Sequence, residues 1–173
     1  ELYQFGIRNG MILLLNVVTA LVIGLLTEQL AVVAVFTLSF MVLRSYTGGY
    51  HSDSRIFCYL GSNLVLLVPV YTQAVFYKTS LARLLAVLLV SAGIIFLLSP
   101  MHSKNRKLDK EEQKHFGRKA RLIAALELAV LGILWHAGQI PYAYAVYTGI
   151  CITALFMLVG KAQLWIQSHT ENG

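Results

Sequence analysis

Long apolar runs alternate with short polar breaks along this chain. The runs cover residues 9–27, 30–43, 56–77, 81–99, 122–137 and 142–165. A helix that crosses a bilayer needs about 20 mostly apolar residues, with a working range of about 17–25. Each run is therefore read as a spanning helix, with 30–43 the shortest. Pro69 within the third run removes one backbone donor and predicts a kink there. Ser80 stands where an N-cap belongs, and the fourth run stops before Pro100. Glu28-Gln29, Lys78-Thr79-Ser80 and Gly138-Gln139-Ile140-Pro141 supply the tight turns.

Residues 101–121 break the pattern. Lys104, Arg106, Lys107, Lys110, Lys114, Arg118, Lys119 and Arg121 alternate there with Asp109, Glu111 and Glu112. Asp109 as a cap, followed by acids in a first turn, predicts a short amphipathic helix ahead of the fifth run.

Composition supports the membrane reading. The chain has 173 residues, of which 57% are hydrophobic and 13% charged, and its mean hydropathy is +0.67. Soluble domains are about 45–50% apolar and about 25% charged. Intrinsic disorder is excluded by the same figures. The net charge of +6 does not indicate nucleic acid, because the basic residues gather between apolar runs, where the positive-inside rule places them. Eight of the 14 Lys and Arg residues lie in 104–121, which puts that loop in the cytoplasm. Counting spans outward from it puts residues 44–55 and both termini on the same side. The chain opens on Glu1, and its first run has no cleavage site of the signal-peptide kind. The expected fold is an all-α integral membrane protein in the cell membrane, with about six transmembrane helices and cytoplasmic termini. A short amphipathic cytoplasmic helix lies between the fourth and fifth spans, and residues 1–173 form one polytopic unit.

The candidate chemistry lies in the 44–58 break, Arg-Ser-Tyr-Thr-Gly-Gly-Tyr-His-Ser-Asp-Ser-Arg-Ile-Phe-Cys. A thiolate is the nucleophilic form of cysteine, and a neighbouring histidine generates it. On a continuous helix His51 and Cys58 would share a face but stand about 10.5 Å apart along the axis. The Gly48-Gly49 pair permits the bend that folds His51 back over the first turn of the third run. Cys58 near a helix start also feels the positive end of the helix dipole.

Each of these residues has a plainer reading when taken singly. Cysteine in an apolar helix is usually a small buried hydrophobe. Cys151, between Ile150 and Ile152 with no polar group nearby, is read that way. His51 alone reads as a wetted loop residue, and Arg44 and Arg55 read as anchoring charges. Two cysteines in separate runs do not form a disulfide framework. A metal site is poorly supplied, since His51, Cys58 and Asp53 give three ligands at most and zinc takes four, or three plus water. No metal or other cofactor is expected.

The pattern Arg44-x-x-x-Gly48-Gly49-x-His51-x6-Cys58 resembles the signature of the accessory gene regulator protein B (AgrB) family of membrane cysteine peptidases. The resemblance covers nearly the whole chain, including Asn105-Arg106-Lys107-Leu108 ahead of the charged helix. It implies a cysteine endopeptidase facing the cytoplasm, acting on an AgrD-like propeptide with an amphipathic leader and an acidic tail. The tail is removed, the peptide is held as an acyl-thioester, and an internal Cys or Ser closes a thiolactone or lactone autoinducing peptide for quorum sensing. It further implies Cys58 as nucleophile, His51 as base, and a need for Arg44 and Gly49, with Gly48 beside it. Ser52 and Asp53 are candidates for a third member by proximity alone. A homodimer is also implied, and Gly149, Ala154 and Gly160 on the sixth run suit close helix approach, either to a second copy or within one chain.

Lys107, Lys110, Lys114 and Arg118 have a complementary partner in an acidic tail. Topology signalling alone accounts for them equally. A non-catalytic membrane transporter or scaffold is the competing reading. Glu127, Arg83, Asn16 and Asn63 are its intramembrane polar groups, and they form no evident relay.

Overall fold

The computed structural model describes the backbone of residues 2–48, 55–101 and 110–170, and the side chains of 10–11, 14–48, 61–101, 111 and 113–166. Six helices lie in these segments: α1 (Leu2–Leu26), α2 (Leu30–Thr47), α3 (Arg55–Lys78), α4 (Leu81–Leu98), α5 (Lys110–His136) and α6 (Ile140–Thr170). No strand occurs among the described residues. Leu30–Thr47, Leu81–Leu98 and Ile140–Ile166 are long and apolar enough to cross a membrane, and Leu14–Leu26 is a shorter apolar stretch.

The helices follow the apolar runs, with three differences. First, α2 continues past Arg44 to Thr47, because nothing between Arg44 and Gly48 breaks a helix. Second, Pro141 lies in the first turn of α6 rather than in the preceding turn, where a missing N–H costs no helical bond. Third, the short amphipathic helix expected before the fifth run is not separate. From Lys110 onward the charged segment and the apolar one form a single helix of 27 residues. The charged segment carries good helix formers and no proline, so propensity carries the helix straight through the change in polarity.

Two of the turns share a mechanism. After α1, Gln29 donates to the Gly24 carbonyl (2.9 Å) and Glu28 to Leu25 (3.2 Å), with Glu28 at φ 57°. After α5, Gln139 donates to Leu134 (2.9 Å) and Gly138 to Trp135 (3.1 Å), with Gly138 at φ 71°. Both pairs are the crossed bonds of a Schellman ending, which satisfies carbonyls that the helix leaves open. Ser80 does occupy the N-cap of α4, but its side chain makes no capping bond.

The bundle is built around α6, which touches α2, α3, α4 and α5, while α1 lies against α2 and α3. One cluster joins Val33, Phe36, Phe76, Tyr144 and Ala145; a second joins Leu43, Ile95, Ala124, Ile150 and Met157. At Gly149, α2 and α6 approach closely. A Cβ there would stand 2.6 Å from Ser39 Oγ and 3.3 Å from Ser39 Cβ. Gly149, Ala154 and Gly160 are all buried within the one chain.

The outward faces of the helices are apolar as well: Leu14, Leu26, Leu38, Leu64, Leu89, Leu97 and Ile133 are all exposed. Water does not tolerate so continuous an apolar surface, whereas lipid does. The hydroxyls behave accordingly. Those of Thr37, Thr72, Thr79 and Thr148 each donate to the carbonyl four residues back, at 2.7–2.9 Å, which hides a donor that hydrocarbon cannot satisfy.

Candidate functional site

The end of α2 enters the Gly-Gly break in a defined way. Arg44, in the last turn, donates to the Gly48 carbonyl, and its guanidinium carbon lies 5.3 Å from the centroid of the Phe156 ring on α6. That distance suits a cation–π contact. Arg44 is therefore fixed at both ends of its charge, one on the glycine loop and one on the central helix. Thr47 is fully buried, and its carbonyl accepts a bond of 2.9 Å from the Met101 N–H.

Gly48 follows with φ 72° and ψ −151°, a conformation open essentially to glycine. The site is also closed to a side chain for lack of room, since a Cβ would lie 2.5 Å from the Met101 carbonyl oxygen. Pro100, the preceding residue, meets α5 in the same manner: a Cβ on Gly117 would stand 2.9 Å from Pro100 Cδ. The Pro100-Met101 segment is thus wedged between two glycines, one closing α2 and one inside the charged half of α5. Tyr46 and Phe116 add a ring contact of 6.5 Å between the same helices. The first glycine of the motif and the basic segment, far apart in sequence, share one corner of the bundle.

Beside that corner lies an open groove of about 630 Å³ lined by Ser99, Pro100, Lys114, Gly117, Arg118 and Arg121. Lys114 and Arg118 stand one turn apart on α5. Arg121 Nε also donates to the Phe96 carbonyl at 3.1 Å, and that bond holds α5 against the end of α4. Ser99 Oγ is buried with no hydrogen-bond partner. Three cations and an unsatisfied hydroxyl suit a carboxylate-bearing ligand.

Of the residues singled out from the sequence, Arg44 and Gly48 are brought together at the end of α2, and Lys114 and Arg118 line the one groove. Cys58 is the fourth residue of α3, one turn into the helix as expected, and its side chain lies outside the described residues. Gly49, His51, Ser52, Asp53 and Lys107 also lie outside them, as does the side chain of Lys110. Cys151 departs from expectation: it is half-buried, and its thiol has the polar side chains of Ser91 on α4 and Tyr147 on α6 for neighbours. The roles of Pro100, Met101 and Gly117 went unread in the sequence. A lone glycine inside a basic helix was the available signal.

Deeper in the bundle, Ser39 donates to Glu127 at 2.9 Å, joining α2 to α5. Asn16 and Asn63 each leave a buried amide oxygen unpartnered, and among the described residues no bond connects either one, or Arg83, to Glu127.

Residues 1–158 match the profile of the Accessory gene regulator B family. The chain is 24% identical over 131 residues to "Putative AgrB-like protein 2" of Clostridium perfringens (strain 13 / Type A), covering 70% of this chain and 60% of that protein. To "Putative AgrB-like protein" of Clostridium perfringens (strain SM101 / Type A) it is 24% identical over 128 residues, with the same coverage. To "Accessory gene regulator protein B" of Staphylococcus intermedius it is 26% identical over 156 residues, covering 88% of this chain and 80% of that protein. The chain spans about three fifths of the length of the two clostridial relatives. No solved structure matches it.

Proposed function

The chain belongs to the accessory gene regulator B family, and from that premise we propose that it is a membrane cysteine endopeptidase that trims and cyclises an AgrD-like propeptide for quorum sensing. In this reading Cys58 is the nucleophile and His51 its base. The thiolate attacks the carbonyl at the end of the signal segment, and the C–N bond to the acidic tail breaks. His51 returns the proton to the departing amine, and the peptide remains as a thioester on Cys58. An internal Cys or Ser of the peptide then attacks that thioester, closing the ring and freeing the enzyme. Held near the acyl carbon, this internal nucleophile outcompetes water through its effective concentration.

The observation that carries the proposal is the wedge of Pro100-Met101 between Gly48 and Gly117. It supports a site in which the loop bearing His51 and the cations that would receive the tail belong to one corner. Arg44 and Gly48 are positioning residues, since Arg44 bonds the Gly48 carbonyl at the exit from α2, with Gly49 as their neighbour. Ser52 and Asp53 are candidates to orient His51. Lys107, Lys110, Lys114 and Arg118 form the clamp for the tail. The positive charge of residues 104–121 supports a cytoplasmic side for this corner, and a homodimer is part of the proposal.

One observation favours the transporter reading. Glu127 is a half-buried ionisable group among apolar helices, and such groups often mark an ion or substrate path. No hydrogen-bonded chain continues from it among the described residues, so the peptidase is preferred.

The test uses the full chain in phospholipid vesicles with an AgrD-like propeptide, followed by mass spectrometry. Tail release and a dehydrated ring product are expected from the parent and from Cys151→Ala. Neither is expected from Cys58→Ala at equal protein level. Equal loss in both variants would remove Cys58 from its role, and intact propeptide in every case would leave the transporter.

A further inference from the structure

At the end of the bundle away from Gly48, the groove between α3, α4 and α6 has a volume of about 460 Å³. Val68, Val75, Phe76, Val87 and Ile152 supply much of its wall, together with several hydroxyl-bearing residues. Most of the hydroxyl protons are engaged inside the protein. Thr72 Oγ1 lies 2.8 Å from Val68 O and 2.6 Å from Tyr144 Oη, and Tyr144 Oη lies 3.0 Å from Pro69 O, so the two hydroxyl protons are shared among these three contacts. Thr79 donates to Val75 O and Thr148 to Tyr144 O. The wall therefore offers an occupant mainly methyl groups and ring faces, and no open donor from these threonines or Tyr144.

Arg83 is the exception. It lies in the first turn of α4, is exposed and lines the same groove. Among the described residues its guanidinium has no hydrogen-bond or ion-pair partner. A groove that is apolar along its length and cationic at one end calls for a ligand with a hydrocarbon chain and an anionic head. Its length narrows the choice. Along α3 and the residue after it, the groove extends from Val68 to Thr79, about 16 Å at 1.5 Å per residue. That is roughly half of a hydrocarbon core about 30 Å thick, the depth of one leaflet. The cation stands at the outer end of the span, where lipid phosphates lie.

We infer that this groove is a site for one anionic phospholipid, with its phosphate on Arg83 and one acyl chain lying between α3, α4 and α6. The site is separate from the peptidase corner and stands whether or not that assignment does. It rests on the reading of the chain as a membrane protein. A zwitterionic lipid presents the same chain but no net charge to Arg83, so headgroup charge is the discriminating variable.

The experiment is native mass spectrometry of the full chain released from nanodiscs of equal phosphatidylglycerol and phosphatidylcholine. The parent should retain phosphatidylglycerol in preference. A basic residue at the lipid surface is worth about 1 kcal/mol, so Arg83→Gln should lower the retained phosphatidylglycerol-to-phosphatidylcholine ratio about fivefold. Arg83→Lys should keep most of the preference. Val87→Trp, which fills the groove, should lower total retained lipid. Thermal unfolding in the same nanodiscs establishes that each variant is folded. An unchanged ratio in Arg83→Gln, or equal retention of both lipids by the parent, overturns the site. So does retention of a second copy of the chain in place of lipid, which would assign the groove to a protomer contact.

Discussion

Gly48 and Met101 meet so closely that a Cβ on the glycine would lie 2.5 Å from the Met101 carbonyl oxygen, while the Met101 N–H bonds Thr47 beside it at 2.9 Å. Gly48→Ala therefore meets both a steric block and a positive φ of 72°. Strain of this kind costs about 1–3 kcal/mol. The expected outcome is a lower unfolding temperature in nanodiscs and a large loss of propeptide cleavage. Gly93→Ala is the control, since a Cβ there meets nothing within 4 Å and alanine favours a helix interior. It should be neutral or slightly stabilising. Equal behaviour of the two variants would mean that the Gly48 corner is not tightly built.

The second expectation concerns sidedness. Single cysteines placed at 48–53 and 104–118 should react with an impermeant thiol reagent only from the cytoplasmic face. Those at 78–80 and 139–141 should react only from outside. Labelling of 48–53 from outside would separate the candidate site from a cytosolic substrate.

The clamp is testable through the Michaelis constant. Each exposed basic contact is worth about 0–1 kcal/mol, so single substitutions should have small effects. Changing Lys107, Lys110, Lys114 and Arg118 together to Gln should raise KM for the propeptide several-fold and alter kcat less. High salt should reproduce the effect in the parent by screening. Steady-state cleavage at low and high salt, with orientation verified, is the measurement. An unaltered KM together with no salt dependence would leave these residues as topology signals alone.

Ser39 and Gly149 should be energetically coupled. Ser39→Ala removes one interhelical bond to Glu127, and such bonds average about 0.6 kcal/mol in membranes. Gly149→Ala brings a methyl to within 2.6 Å of Ser39 Oγ, and overpacking of this kind costs about 1–3 kcal/mol. In a Ser39→Ala background that hydroxyl is gone, so Gly149→Ala should cost less there. A double-mutant cycle of unfolding free energies reads the difference. Strict additivity would show that α2 and α6 do not meet at this pair.

The sequence by itself determined where the helices lie and where they turn. Runs of apolar residues, Gly138 and Pro100 act locally, through hydration, backbone freedom and a missing donor, so their effects can be read from neighbours in the chain. The Arg44 to Cys58 spacing likewise carried the family. Partnership between helices was decided only in the tertiary structure. In lipid nearly every face of a spanning helix is apolar, so polarity does not mark the face that meets protein. Steric fit marks it, as when Gly149 admits Ser39 and places α6 at the centre of the bundle. Fit also wedges Pro100-Met101 between Gly48 and Gly117, residues 69 positions apart in the chain. The polar surroundings of Cys151 were settled the same way, since a neighbouring helix brings Ser91 near its thiol.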